Sequence, residues 1–208
     1  MTAEKEITIA PGVHVARNTA TLAPMKPPPP YDPRGVANLL LDLAVAEDKP
    51  ISNLALQKLL YFAHGHFLIA TGTPLVSGYF ECWTRGPVHS LVYRAFKDAG
   101  AQPITARAMS RDLVTGHVKV VAPIDSQDVT NHLRSVLFMY GRLTAGRLIE
   151  ISHARNAPWA FIKAKADRGV ALGLRIPNDV IRDRFKHHKV AIADVPRYGE
   201  LLEDTPFA

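Results

Sequence analysis

Residues 52–72 read Ser52-Asn53-Leu54-Ala55-Leu56-Gln57-Lys58-Leu59-Leu60-Tyr61-Phe62-Ala63-His64-Gly65-His66-Phe67-Leu68-Ile69-Ala70-Thr71-Gly72. A serine at the start can cap open helix amides, and a glycine just past the end accepts the left-handed backbone that stops a helix. Between those marks, Leu54, Leu56, Leu59, Leu60, Tyr61, Phe62, Phe67, Leu68 and Ile69 surround most of the helix. A helix apolar on nearly all sides belongs at the centre of a core, so the remaining elements are expected to pack around this one. Gln57, Lys58, His64 and His66 interrupt the apolar region from Leu54 to Ala70, which makes it too polar to span a bilayer.

Upstream, Asp32-Pro33 is a helix-start signature, because the carboxylate caps free amides and proline fits the first turn. Val36, Leu39, Leu40 and Leu43 then recur at helical spacing, with Asp42 and Glu47 on a wetter side. Downstream, Tyr79 to Gly86 is a short extended stretch, and Gly86-Pro87 reads as the turn that follows it. Residues 89–99 predict a helix with Leu91, Val92 and Phe96 inward, ended by Gly100. Thr115-Gly116, between RDLV and HVKVVAP, predicts a hairpin. Asp125 or Ser126 caps a helix carrying Val129, Leu133, Val136, Leu137 and Tyr140, and Thr144 caps another carrying Leu148, Ile149 and Ile151 up to His153. Beyond Trp159 only residues 177–188 give a helical pattern, with Pro177 and Asp179 placed in its first turn.

Residues 1–31 form a separate compositional zone, with Pro24 and the run Pro27-Pro28-Pro29-Pro30 ending at Tyr31. Prolines there donate no backbone hydrogen bonds and favour an extended chain, so a flexible arm and stiff linker are expected. The alternation Ile7, Ile9, Val13, Val15 would suit a strand if a partner supplied an edge. The expected organisation is an arm over 1–31, a compact helical domain over 32–160 and a C-terminal extension over 161–208 packed on it. The fold class is mainly α, with a short β-hairpin or extended segments.

The 208 residues suffice for one well-buried core, and 47% hydrophobic with 21% charged residues is an ordinary globular balance. One cysteine, Cys82, excludes an internal disulfide and fits a reducing cytoplasm. The opening residues lack the basic and apolar stretches of a secretory signal. A net charge of +6 favours acidic partners or nucleic acid only if it is clustered. The cluster Arg182, Arg184, Lys186, His187, His188 and Lys189 has a plain explanation as cations at a helix C-terminus, and a sharper one as a docking patch.

Catalytic and metal chemistry find little support. His64 and His66 sit two apart on a helix, so their side chains diverge by about 200° and cannot chelate one ion. Glu150 and His153 have the spacing of half a di-iron site, but no second E-x-x-H occurs. Cys82 reads as a small buried hydrophobe rather than a nucleophile. No phosphate-binding glycine loop, nucleophile elbow or dinucleotide fingerprint is present. Neither a metal nor a cofactor is expected, and the chain reads as a non-enzyme.

Three stretches together carry a resemblance: Leu56-Gln57-Lys58-Leu59-Leu60-Tyr61-Phe62-Ala63, Phe80-Glu81-Cys82-Trp83-Thr84-Arg85-Gly86-Pro87-Val88, and Ser152-His153-x4-Pro158-Trp159. In that order and at those separations they resemble the Panacea domain, also called SocA-like or GepA-type, of antitoxins and phage-associated proteins. The match spans about residues 33–160, with an alanine-like residue expected where Cys82 stands. The resemblance implies a mostly helical domain that neutralises a cognate protein toxin by binding it. Its SocA branch further implies an adaptor that hands the toxin to the ClpXP protease. The motif residues Gln57, Lys58, Tyr61, Trp83, Arg85, Gly86, Pro87, His153, Pro158 and Trp159 are the candidates for partner binding. Trp83, Arg85 and Trp159 are the residue types that dominate binding hot spots, and each also has a structural reading. A nucleic-acid-binding regulator acting through the basic helix is the alternative function.

Overall fold

The computed structural model describes residues 28–112, 114–169 and 174–188. Residues 1–27 of the arm expected over 1–31, including the alternation from Ile7 to Val15, lie outside the described residues, as do Lys189 and the tail beyond it. Helices dominate the described chain, in line with the mainly α expectation.

Helix α1 (Pro33–Ala46) starts where Asp32 Oδ1 accepts the Arg34 amide at 2.9 Å, with proline in the first turn. Helix α2 (Asn53–Thr71) is capped by Ser52 Oγ, which accepts the Ala55 amide, and stops at Gly72 with φ +73°. Its residues from Leu56 to Ala63 are all buried, including Gln57 and Lys58. Helices α1, α3 (Ser90–Phe96), α4 (Gln127–Tyr140), α5 (Ala145–Ser152) and α7 (Asn178–Arg184) all pack on α2. The apolar circumference read from the sequence therefore has its explanation: α2 is the axis of the core. Ser126 and Thr144 cap α4 and α5, and Val129, Leu133, Val136, Leu137, Tyr140, Leu148 and Ile151 all turn inward. Among the described residues no helix is long and apolar enough to cross a membrane.

Two short sheets complete the fold. Strands β1 (Phe80–Trp83), β2 (Gly86–Val88) and β5 (Arg175–Ile176) form an antiparallel sheet in the order β2-β1-β5. Strands β3 (Met109–Arg111) and β4 (Val118–Val120) form the expected hairpin. The turn predicted at Gly86-Pro87 is displaced. The chain reverses at Thr84-Arg85, and Pro87 lies in β2 opposite Cys82. Because the Cys82 amide points at Leu174 O, just before β5, the Cys82–Pro87 pair makes no ladder bonds, and a proline on this edge strand costs none.

Helix α6 (Pro158–Asp167) and strand β5 had no counterpart in the sequence reading. Of α6, only Pro158 and Ile162 are buried, too sparse for a periodic signal, and two residues of β5 offer no period at all. Pro177 is the cap residue preceding α7 rather than a residue of its first turn, and a 3-10 turn (Phe185–His187) follows α7. Phe185 is buried there, against Gly65 of α2.

Candidate protein-binding site

The three motif stretches lie far apart in the chain, and the fold brings them together. From α2, Gln57 donates through Nε2 to Asn53 Oδ1 at 3.1 Å and accepts the His89 amide on Oε1 at 3.0 Å. That fixes the chain leaving β2 against the central helix. One residue on, the fully buried Lys58 donates through Nζ to Pro87 O at 3.1 Å. A buried cation is retained only where fixed acceptors replace its water, and Pro87 supplies one by pointing its carbonyl away from β1.

Gly86 is the close-packed joint of this arrangement. Its φ is +104°, and a Cβ there would lie 2.6 Å from Ser152 Oγ and 3.0 Å from Lys58 Cε. Only glycine lets β2 lie between α2 and the end of α5. Ser152 in turn donates to Ile149 O at 2.8 Å.

Beside this joint, His153 and Trp159 stack face to face, with ring centroids 3.6 Å apart and planes 14° from parallel. Trp159 Nε1 donates to Trp83 O at 2.8 Å, so the α5–α6 corner is tied to the end of β1. Trp83 is mostly buried, donates to Glu81 Oε2 at 2.7 Å and meets the Tyr93 ring at 4.8 Å. Burial, assisted by the nearby Lys58 charge, pushes His153 down to about 4, and the imidazole is neutral at pH 7. His153 Nε2 is buried with no protein hydrogen-bond partner among the described residues.

The ten candidates thus separate into two layers. Gln57, Lys58, Trp83, Gly86, Pro87 and Pro158 are buried beneath, and Tyr61 is buried in an aromatic group with Phe80, Phe185 and His188. The candidates Arg85, His153 and Trp159 are half-buried and, with the neighbouring exposed Thr84, which was not among the ten, form the accessible rim over the joint. Asn53 and His89 belong to the support layer and were not singled out from the sequence. Asn53 stands four residues before Gln57 and so shares its helix face, a signal that could have been read. His89 gave none, because its role depends on where β2 lands.

Other reactive groups are committed to structure. Burial raises the Cys82 thiol to about 12, which removes it as a nucleophile at neutral pH. His64 Nε2 pairs with Asn178 Oδ1 at 3.0 Å and His66 Nε2 with the Tyr140 hydroxyl at 2.9 Å. Glu150 pairs with Arg147 rather than with His153. No group of three or more metal-ligating side chains occurs among the described residues. In the basic cluster, the Arg184 guanidinium lies 3.5 Å over the Phe161 ring.

Comparison with known proteins places this assembly. Residues 56–160, which contain all three motifs, match the family described as "Antitoxin SocA-like, Panacea domain". The chain belongs to that family. It is also 48% identical over 179 residues to "Antitoxin SocA" of Caulobacter vibrioides (strain NA1000 / CB15N), covering 86% of this chain and 95% of that protein. No solved structure matches. The family match ends at residue 160, one residue past the Trp159 that stacks on His153, whereas β5 and α7, which pack on β1 and α2, fall outside it.

Proposed function

We propose that this chain is a cytoplasmic, non-enzymatic antitoxin that neutralises a cognate protein toxin by binding it directly. The observation that carries the reading is the 48% identity to an antitoxin across nearly the whole length of both chains. The toxin-facing surface includes the rim of Thr84, Arg85, His153 and Trp159, with Gln57, Lys58, Gly86 and Pro87 holding it in place. Two features support that assignment. The rim combines large aromatic area with a guanidinium and a neutral imidazole, the chemistry of binding hot spots. Its support is also rigid, so little ordering entropy is lost on docking.

The test is co-expression with the protein encoded by the adjacent gene. Expression of that protein alone should arrest growth, and this chain should restore growth and co-purify with it at fixed stoichiometry. Thr84→Arg, at the exposed turn, should weaken the complex while leaving the circular dichroism spectrum and melting temperature unchanged. Failure to bind the adjacent gene product would sink the reading. The SocA likeness extends the proposal to delivery of the bound toxin to ClpXP. Toxin half-life should then shorten in cells containing this chain and ClpXP, and lengthen when ClpX is removed. An unchanged half-life with intact neutralisation would reduce the function to sequestration.

A further inference from the structure

The β3–β4 ribbon is anchored at its base and uncovered beyond it. Asn38 of α1 clamps Ala108, accepting its amide at 2.7 Å and donating to its carbonyl at 3.3 Å. Arg34 Nη1 donates to Met109 O at 3.3 Å, and Arg107 pairs with Asp42 at 2.7 Å. Past this base, every residue of β4 is exposed and β3 is exposed or half-buried. A two-stranded ribbon on its own is marginal in water, and this one leaves both faces open.

The pairing sets which groups face outward. Met109 stands opposite Val120, Ser110 opposite Lys119 and Arg111 opposite Val118. Side chains alternate, so Met109, Arg111, Val118 and Val120 share one face, while Ser110 and Lys119 share the other. Met109, Val118 and Val120 are 46%, 53% and 45% exposed, an apolar row with no cover. The Asp112 amide bonds His117 O at 2.8 Å, and the Val121 amide bonds Ala108 O at 3.2 Å. Residues 117, 119 and 121 therefore point their backbone groups at β3, and Val118 and Val120 point theirs away. Arg34 occupies the outer edge of β3, whereas no strand lies along β4 among the described residues.

Outward amides beside an apolar row form a template for an added strand. Charge then selects what is added. Arg111 lies on one face, and Lys119, with His117 beside it in register, lies on the other. Asp112 turns its carboxylate back onto the amides of Val114 and Thr115. A second copy pairing antiparallel about Lys119 would set lysine against lysine, which is unfavourable for residues directly opposite.

We propose that β4 is a docking edge for an extended segment of the protein partner, in which apolar residues extend the Val118–Val120 row and alternate with acidic residues that meet Lys119. This rests on the toxin-binding function above and adds a second contact to it.

Amide hydrogen exchange on the full chain, free and mixed with the adjacent gene product, reads the edge directly. The Val118 and Val120 amides should exchange freely alone and slow by about tenfold or more in the complex, the effect of gaining a hydrogen bond. Val120→Pro removes an outward amide and leaves the ribbon's own ladder whole. Lys119→Glu leaves the backbone untouched. Each should weaken the complex by about tenfold. A complex that forms with these amides still exchanging freely, and that tolerates both variants, would overturn the docking edge and leave the antitoxin function standing. Absence of any complex would overturn both. Protection already present in the free chain and lost on removing residues 1–27 would assign the edge to this chain's own N-terminal segment. Protection that grows with concentration would assign it to a second copy. Either result also overturns the proposal.

Discussion

Gly65 has no side chain, and Phe185 uses the space. A Cβ built on Gly65 would fall 1.9 Å from Phe185 Cε2, with the ring held among Tyr61, Phe62 and His66. Gly65→Ala should therefore destabilise the fold by about 1–3 kcal/mol, the range for overpacking a core. Phe185→Leu should recover part of that loss in the double variant, and urea unfolding of the four proteins measures it. Lys58 allows a second check at this scale. Lys58→Met keeps the length of the side chain but strands Pro87 O, so a loss of about 1–3 kcal/mol is expected. The same change removes a positive charge near His153, so the imidazole should titrate above its present value of about 4. Burial, the larger cause, stays in place and keeps it below the ordinary histidine range, and the ring proton resonances in NMR follow it directly. Neither role was readable from the chain alone. The sequence shows a glycine and a lysine inside an apolar helix, and only the positions of Phe185 and Pro87 say why they are there.

The long helices were legible because their ends carry chemistry and their interiors carry a period. Asp32, Ser52, Ser126 and Thr144 each place a side-chain oxygen on an open amide, as their sequence positions implied. Ser52→Ala should cost about 1 kcal/mol, the usual value of such a cap, with the melting curve shifted and its cooperativity retained. A loss near zero would mean that packing around α2 makes the cap redundant. The short elements were not legible for a matching reason. The 86–87 dipeptide is a turn signal in isolation, yet the edge position of β2 lets Pro87 stand in a strand while the reversal falls at Thr84-Arg85. Helix α6 is held by its place between β1, β5 and α7 rather than by an apolar stripe, so its sequence carries no comparable pattern.

Across the whole molecule, burial has made several histidines neutral. His64, His153 and His188 are each pushed from an ordinary 6.5 to about 4, in every case mainly by desolvation. Each takes up a proton near pH 6.5 once unfolded but only near pH 4 while folded. The unfolded chain therefore binds more protons across that window, and stability falls as pH drops through it. Urea midpoints should be level above about pH 7 and decline from about 6.5 toward 4. These three rings contribute a slope approaching three protons, to which His66, His89 and His132, also lowered by burial, add. His188→Phe should remove one proton from it. A midpoint that stays flat between pH 7 and 5 would mean that these rings take up protons in the folded state.

The division between sequence and tertiary structure follows from the range of the forces involved. Caps, helical period and the all-round apolar face of α2 are local properties, so the chain alone determined the mainly helical class and the central helix. The three motifs, which read only as strings in a fixed order, also carried the family. The joint at Gly86, the layering of candidates into buried supports and an accessible rim, and the open edge of β4 were decided only by the tertiary structure. They depend on contacts between residues 29 to 114 positions apart, such as Lys58 with Pro87 and His64 with Asn178. No local pattern encodes such contacts, because each is set by where a separate element comes to rest.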